Sequence, residues 1–516
     1  MGCSKEDGPA QWDVDLLAPL VNTTFTIGDL IDDTLLDVSS DGSVTLLYQS
    51  QLFAVDMDTV LKAPDTTFFY GAGLANGQGS VNLPAGFPFT SQNDLTRFDL
   101  EDLYLRSLIL REGTLRMRLR NEIMSAIIGT FRLPGSTFPD GTNSITSEVG
   151  PGSLSNPTYS TQSRDLAGSV FDLRGPAYND VNTLATSIDL LLDPNGSGAT
   201  VNEGDSVVAE ITYSGLIPQY AKGYFGDRTI HIGPEESDLD LFANVVNGTL
   251  DVDDVSLKLR VENGVGVDVQ VRLDHLRAMN SHNGASVDLS HTIFQGPVNL
   301  NRAVDLGNGY APSVYTTTMD NTDSNVDVFL ETLPDQVTYE LDLHLNPLGD
   351  ISNGNDFLYY DSKLRATLEL EVPLRVIANE LTLEKILDVD LPGTEDAHGL
   401  QSGDLRIFAT NGFPFSARFQ MDIVDAEGQV VRAVPLQGLI ASGVLGANGV
   451  VQHSVDSRAD AQLDADGIDL LYAGNRLRLR AIFNTADQAQ HVRILDSYRM
   501  DVKIAAGAHY LVNGDE

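Results

Sequence analysis

The chain of 516 residues contains a single cysteine, Cys3, which excludes an intramolecular disulfide framework. Basic residues are also scarce: 32 Lys and Arg, of which only seven are lysine, face 73 Asp and Glu, and the formal net charge is −41. A surface of that sign repels phosphate backbones and anionic lipid headgroups, which excludes nucleic-acid binding and peripheral membrane binding through charge. Acidic, lysine-poor surfaces suit saline surroundings, where solubility must survive screening.

Long apolar runs and catalytic motifs are missing as well. Residues 433–452 lack charge, but Pro435 and four glycines interrupt them, so the sequence predicts no membrane-spanning helix. The chain has no His-Glu-x-x-His motif, Gly-x-Ser-x-Gly elbow, phosphate loop or dinucleotide fingerprint. Among 73 carboxylates accidental pairs are certain, so sequence alone identifies no acid/base pair. The expected protein is not an enzyme.

Strand periodicity dominates what is present. In residues 256–274 the apolar side chains share one parity and the polar side chains the other, which predicts strands with one buried face. We interpret this stretch as a hairpin whose three-residue loop pairs Val261 with Val265 and gives Gly264 a left-handed conformation. The 46 glycines and 21 prolines suit many short strands and turns. The sequence therefore predicts an all-β protein of antiparallel sheets.

Two patterns recur in the same order at domain-sized spacing. The run Thr114–Asn121 (TLRMRLRN) matches Ser256–Asn263 (SLKLRVEN), and a third copy ends at Asn411. Ser187–Gly196 resembles Glu340–Gly349, and each is followed by another alternating run and a proline. This recurrence predicts internal repetition.

The repeats and turn signals predict about three tandem β-sandwich-like domains. The predicted boundaries are a tether at 1–10 and domains at 11–160, 161–298 and 299–516, the last with a C-terminal extension. Residues 144–162, rich in Ser, Gly, Pro and Thr, are predicted as a linker or long loop. Short helices are predicted at 237–246 and 379–389, and an exposed loop at 219–233.

The N-terminus carries a possible attachment signal. Cys3 follows the small residue Gly2 and is followed soon by Lys5, Glu6 and Asp7. Over these seven residues the chain resembles the surface-exposed lipoproteins of Bacteroidota, which implies an acylated Cys3 anchored in the outer membrane and a body exposed at the cell surface. One alternative is myristoylation of Gly2 with palmitoylation of Cys3, although Glu6 departs from the Ser or Thr of that motif. Another is an artificial remnant with an incidental cysteine.

Calcium is the one cofactor that the sequence suggests. Asp464, Asp466 and Asp469 offer hard oxygen ligands around a glycine, but the glutamate that completes an EF-hand loop is missing. A looser cluster consists of Asp320, Asp323 and Asp327. A solvated acidic turn is the alternative explanation for both clusters.

Two functions remain open from the sequence. The first is a non-enzymatic lipoprotein that acts as a scaffold or docking subunit of an outer-membrane assembly, with outer-membrane or surface proteins as partners. The alternative is a lipoprotein that captures an extracellular glycan or another ligand for an uptake system. Glycan capture usually stacks sugar rings on exposed aromatic side chains, for which the chain offers one tryptophan, Trp12, and 16 tyrosines.

Overall fold

The computed structural model describes residues 11–29, 31, 33–56, 64–74, 79–242, 245–388, 400–446 and 448–513. Within these ranges the prediction of an all-β protein with antiparallel sheets is confirmed. Two short helices, α1 (Val326–Glu331) and α2 (Ala465–Tyr472), join the strands, and no helix in the described ranges is long and apolar enough to cross a bilayer.

The strands, numbered in chain order, are β1 Gln11–Thr26, β2 Leu36–Val38, β3 Val44–Asp56, β4 Thr66–Gly73, β5 Val81–Leu83, β6 Pro88–Arg97, β7 Tyr104–Asn121, β8 Ile127–Arg132, β9 Ser144–Val149, β10 Thr158–Asp165, β11 Val170–Asp172, β12 Thr183–Leu192, β13 Ala199–Val201, β14 Ser206–Tyr224, β15 Arg228–Asp238, β16 Val245–Val252, β17 Ser256–Asn263, β18 Val269–Met279, β19 Ser286–Asp288, β20 Val298–Leu300, β21 Val304–Asp305, β22 Tyr310–Ala311, β23 Ser313–Asp320, β24 Gln336–Leu345, β25 Asp356–Tyr359, β26 Lys363–Pro373, β27 Arg375–Leu387, β28 Leu400–Asn411, β29 Phe415–Val424, β30 Val430–Val434, β31 Leu436–Gln437, β32 Val444–Leu445, β33 Val451–His453, β34 Val455–Leu463, β35 Arg476–Thr485, β36 Val492–Arg493 and β37 Arg499–Asn513.

The large sheets form three units, each made of two sheets with a shared four-stranded pattern. The strand orders are β4-β14-β7-β10 with β6-β12-β8-β9 in the first unit, β3-β26-β17-β23 with β15-β24-β18-β19 in the second, and β1-β37-β28-β34 with β27-β35-β29-β30 in the third. This is the order of an eight-stranded jelly roll, a β-sandwich of two Greek keys. Shorter strands extend individual sheets at their edges.

The units are interleaved along the chain. Strands β1, β3 and β4 join the third, second and first units in that order, so the N-terminal part of the chain contributes one strand to each unit. β14 leads into β15 and β26 into β27, which carries the chain from the first unit to the second and then to the third. The predicted segments 11–160, 161–298 and 299–516 therefore do not each contain a complete pair of sheets. The reason is physical: alternation fixes which face of a strand is buried, but not which strand it pairs with.

The predicted repetition is visible in the strands that precede three buried asparagines. β7, β17 and β28 occupy the same place in their units, and they end at Asn121, Asn263 and Asn411, each at most 1% exposed. Each side-chain Oδ1 accepts a hydrogen bond of 2.9 Å from the backbone N–H two residues later. Because the amide caps the strand in this way, the chain leaves one sheet and enters the facing sheet. We call these three sites the asparagine corners.

The predicted hairpin over 256–274 is wrong, because its strands lie in different sheets. β17 pairs with β23 and β26, whereas β18 pairs with β24. Their apolar side chains meet across the core instead: Leu259 and Val271 both line a small apolar cavity between the two sheets. Alternation with the same parity fits either arrangement. Gly264 is required there for close approach, since an added Cβ would lie 2.7 Å from a ring carbon of Tyr310.

Three further local predictions are wrong. Residues 144–162 are not a linker, because they form β9 and the first part of β10. Residues 379–389 were predicted as a helix, yet β27 extends through Leu387, and pairing with β16 and β35 overrides the local helical pattern. The predicted loop at 219–233 belongs mostly to β14 and β15. In the described part of 237–246, helical structure is limited to a 3₁₀ turn at Asp240–Phe242.

Candidate functional site: a face of arginines and aromatic rings

The predicted site residues differ in whether the structure describes them and in what their side chains contact. Cys3 and the predicted tether at 1–10 lie outside the described residues. Asp464 is the N-cap of α2, and its side chain accepts a 3.0 Å hydrogen bond from the backbone N–H of Gly467. Arg432 forms ion pairs with both Asp464 and Asp466, while Asp469 lies within α2.

Side chains of the second acidic cluster also stabilise the local turn and the start of a helix. Asp320 accepts hydrogen bonds from the hydroxyl and the backbone N–H of Thr322, and these bonds lower the pKa of Asp320. Asp327 lies in the first turn of α1, where a carboxylate suits the helix dipole. Nowhere in the described ranges do three His, Cys, Asp or Glu side chains come together as ligands for one metal ion. The calcium site at Asp464, Asp466 and Asp469 stays a prediction.

An aromatic cluster lies where β14 of the first unit meets β25. The ring centroids of Tyr220 and Tyr359 are 4.8 Å apart, and both hydroxyls donate 2.8 Å hydrogen bonds to Asp305. Burial, reinforced by the hydrogen bond to Asp305, raises the pKa of Tyr359 to about 12 and also raises that of Tyr220. Phe357 and Tyr359 are only 6% and 8% exposed. These rings therefore pack the molecule and do not offer a platform for stacking a sugar.

A different arrangement occupies the outer face of the β4-β14-β7-β10 sheet. Arg116, Arg118 and Arg120 alternate with buried residues along β7, so all three point outward and are exposed. Strand register places Tyr159 of β10 opposite Arg120, and Phe69 of β4 opposite Glu210, the neighbour of Arg118. The rings are exposed by 53% for Tyr159 and 69% for Phe69. We call this surface the arginine face.

Two of the arginines are held in place by the protein itself. The guanidinium of Arg118 lies 4.7 Å from the ring centroid of Tyr159 and 3.6 Å from Glu210 Oε2. Arg120 forms an ion pair with Glu122, a carboxylate that is only 3% exposed. Arg116 forms no ion pair with any described residue, and Thr212 lies opposite it on β14. A guanidinium has five N–H donors, so all three arginines keep donors for an external acceptor.

The repeated architecture supplies an internal comparison. In the second unit the positions of Arg116, Arg118 and Arg120 are taken by Lys258, Arg260 and Glu262. There the charges are matched within the protein: Lys258 Nζ lies 2.5 Å from Glu369, Arg260 lies 2.7 Å from Glu262, and Glu262 lies 3.9 Å from Arg365. Val314 and Gln51 replace the two exposed rings. The same fold thus carries a face whose named cations all form ion pairs in the second unit, and in the first unit an aromatic face on which Arg116 forms no ion pair with a described residue.

Sequence reasoning missed the arginine face. The three arginines were visible as outward positions of an alternating strand, but Phe69 and Tyr159 come from strands remote in sequence, and only the strand register unites them. The positive charge of the three arginines was a usable signal, because three consecutive outward positions are basic in a chain whose net charge is −41. That contrast would have singled out Thr114–Asn121 among the three copies.

Comparison with known proteins identifies no family for this chain. No family model matches the chain, and no curated protein matches it. Among solved structures, the chain is similar to a Parabacteroides distasonis protein proposed to be secreted, with 11% identity and a TM-score of 0.29 over 97% of this chain and 99% of that one. It is also similar to a structure of Sulfolobus Turreted Icosahedral Virus (10% identity, TM-score 0.10, 88% and 92% covered) and to infectious bursal disease virus strain Gx (8%, 0.14, 95% and 91%). At these TM-scores the likeness supports no conclusion about function.

Proposed function

We propose that this protein is a non-enzymatic cell-surface lipoprotein that binds another protein through the arginine face, as a scaffold or docking subunit of an outer-membrane assembly. The observation that carries the proposal is the composition of that face. Arginine and aromatic side chains are enriched at protein interfaces and supply most of the residues whose truncation costs the most binding energy. Two exposed rings flanking arginines that keep free donors match this composition.

The alternative is capture of a glycan or another extracellular ligand. The aromatic cluster around Asp305 does not favour it, because its rings are largely covered by protein. Among the tyrosines whose exposure the structure describes, Tyr104, Tyr159 and Tyr178 are the exposed ones that remain for stacking. Tyr104 stacks on Tyr224 at 5.9 Å, and Tyr159 already contacts Arg118. These rings are the ones to replace when glycan binding is tested.

Attachment to the membrane is the second part of the proposal. Acylation of Cys3 would hold the acidic body near the outer membrane without requiring contact between its surface and anionic headgroups. A single acyl chain binds a membrane weakly and reversibly, whereas several chains give a stable anchor. Mass spectrometry of the native protein should therefore detect an acylated Cys3, and Cys3→Ala should release the protein into the soluble fraction. An unmodified Cys3 in soluble native protein would refute the anchor.

Affinity purification from detergent-solubilised native membranes tests the binding function. We expect the full-length protein to recover a membrane or surface protein in stoichiometric amount. Recovery of the protein alone, together with saturable polysaccharide binding that is lost when Tyr104 and Tyr178 are replaced by alanine, would reverse the ranking in favour of glycan capture.

A further inference from the structure

We propose that the arginine face binds an extended acidic segment of the partner protein, with carboxylates at alternate positions of that segment paired to Arg116, Arg118 and Arg120. This inference rests on the proposed function and adds the chemistry of the partner. Alternate residues of a strand are about 7 Å apart, so the three arginines present cations at that interval along β7. A peptide in the extended conformation repeats same-face side chains at the same interval. A segment with acidic residues at every second position therefore matches all three arginines at once.

The donors on this face suit carboxylates. The planar guanidinium binds a carboxylate through two parallel N–H···O bonds, which fixes geometry as well as adding energy. Arg116 forms no ion pair within the part of the chain that the structure describes, so no described carboxylate engages its guanidinium. Arg118 is held by the ring of Tyr159 and by Glu210, and Arg120 is held by Glu122, which limits the conformational entropy lost on binding. The side chains of Arg118 and Arg120 are thus held in place before a ligand binds, whereas the guanidinium of Arg116 has no described carboxylate as a partner.

The exposed rings define where the segment would lie. Tyr159 projects from β10 on one side of β7, and Phe69 projects from β4 on the other side, beyond β14. A segment lying over β7 would pass between the two rings and bury part of each. This contact desolvates the arginine pairs, which strengthens them relative to exposed ion pairs in water.

Charge outside the face argues for a short acidic segment instead of a long polyanion. The whole chain carries a net charge of −41, so a polyanion that extended past the face would meet repulsion from the rest of the surface. At physiological ionic strength the screening length is about 8 Å, so a segment confined to the face responds mainly to the three arginines. A uronic-acid polysaccharide is the competing occupant, and the test includes it.

Binding of synthetic peptides to the full-length protein tests the inference. One peptide alternates Glu and Thr, and a second has the same composition with its Glu residues consecutive; oligogalacturonate serves as the glycan probe. We expect the alternating peptide to bind most tightly and to weaken as salt is added. Arg116→Gln should weaken it about tenfold, the loss of one charge-assisted contact. Lys258→Gln, at the equivalent position of the second unit, should leave its affinity unchanged and controls for general charge loss.

Three results would overturn the inference: equal affinity for both peptides, no effect of Arg116→Gln, or tighter binding of oligogalacturonate in competition with the peptide. Arg116 forms no ion pair with a described residue, so its replacement leaves no described carboxylate without its partner, and unchanged thermal unfolding of the variant confirms the fold. Recovery of the membrane partner by the Arg116→Gln/Arg118→Gln variant at wild-type yield would refute this inference alone. Failure of the wild-type protein to recover any partner would refute the proposed function itself.

Discussion

At the residue scale, single buried amides decide where the chain changes sheets. Asn121 illustrates the arrangement: its Oδ1 accepts from the N–H of Ile123, and its Nδ2 donates to the carbonyls of Ser125 and Gly150 at 2.8 and 2.9 Å. Asn411 makes the corresponding contacts with Phe413, Phe415 and Ala441. An aspartate could not make them, because it has no N–H donors. The corners therefore specify asparagine and not merely a polar side chain.

Replacing Asn121 with alanine should cost about 3 kcal/mol of unfolding free energy. The change leaves one buried N–H and two carbonyls without these partners, and an unsatisfied buried polar group costs about 1–3 kcal/mol. Urea denaturation measures the loss. Asn195→Ala, at an exposed turn, is the matched control and should change stability by less than about 0.5 kcal/mol. Equal effects of the two substitutions would contradict the role of the corner.

A second residue-scale feature is an ion-pair network around a buried carboxylate. Arg302 donates to Asp268 at 2.6 and 2.8 Å and to Asp356 at 2.9 Å, and Asp356 is completely buried. Burial raises the pKa of Asp356, while Arg302 and the amide of Asn346 oppose that rise. Asp268 behaves oppositely, since its hydrogen bonds from Arg302 lower its pKa. Arg302 is thus a cation that opposes the rise in the pKa of this buried carboxylate.

Arg302→Leu should destabilise the protein by about 3–5 kcal/mol at neutral pH, because it leaves a buried carboxylate without its cation. The sign of the pH dependence follows from Asp356. Without Arg302 its folded-state pKa rises further above the unfolded value, so the penalty is relieved as the pH falls through that folded-state pKa. The stability difference from wild type should therefore be smaller at pH about 5 than at pH about 7.5. Arg375→Leu, which removes a half-exposed pair with Asp253, should cost at most about 1 kcal/mol and show no such trend.

At the element scale, the acidic turn that suggests calcium forms the start of α2, with Asp464 as the N-cap. Asp464→Ala should cost about 1 kcal/mol through loss of the N-cap, whereas Asp464→Asn should retain capping. Because Arg432 already neutralises Asp464 and Asp466, we expect the same Tm in millimolar calcium and in EDTA. A higher Tm in calcium that disappears in Asp464→Asn would establish the calcium site.

Individual strands could be predicted, but their partners could not. The parity of Leu115, Met117 and Leu119 correctly marks a buried face, since all three are fully buried. The same logic failed for Val261 and Val265, because a corner between two sheets and a hairpin within one sheet leave identical alternation. Asparagine before a Gly-x-Gly run is a turn signal in either case. The N–H of Val265 donates to Asn263 Oδ1 within the corner, but the hydrogen bond from Asn263 Nδ2 to the carbonyl of Asn301 is a tertiary contact that the local pattern does not reveal.

At the scale of the whole molecule, the interleaved topology ties the ends of the chain together. β1 pairs along its length with β37 in the third unit, and β3 pairs with β26 in the second unit. The repetition was predictable from Asn121, Asn263 and Asn411, but the path of the N-terminal strands was not. Each of them pairs with a strand at least 133 residues later in the chain, the separation of Gly73 from Ser206, and sequence proximity carries no information about that pairing.

Deleting residues 1–26 should expose one edge of β37 while leaving the second unit intact. Hydrogen exchange followed by mass spectrometry should show faster exchange in β37, and the new 15-residue edge should lower solubility. β26 remains paired with β3 and is the internal control, so its exchange should not change. An unchanged rate of hydrogen exchange in β37 would indicate that β1 does not pair with β37.

At the scale of the whole molecule, we propose that the partner binds at the arginine face of the first unit and not at the equivalent face of the second unit. Site-specific photo-crosslinking in solubilised native membranes tests this most directly, with p-benzoylphenylalanine at Tyr159 or Phe69, and at Val314 or Gln51 as the matched positions of the second unit. We predict that positions 159 and 69 crosslink one protein, that the crosslink maps to an acidic segment, and that positions 314 and 51 do not crosslink it. Equal crosslinking from both units, or none from positions 159 and 69, would contradict the account.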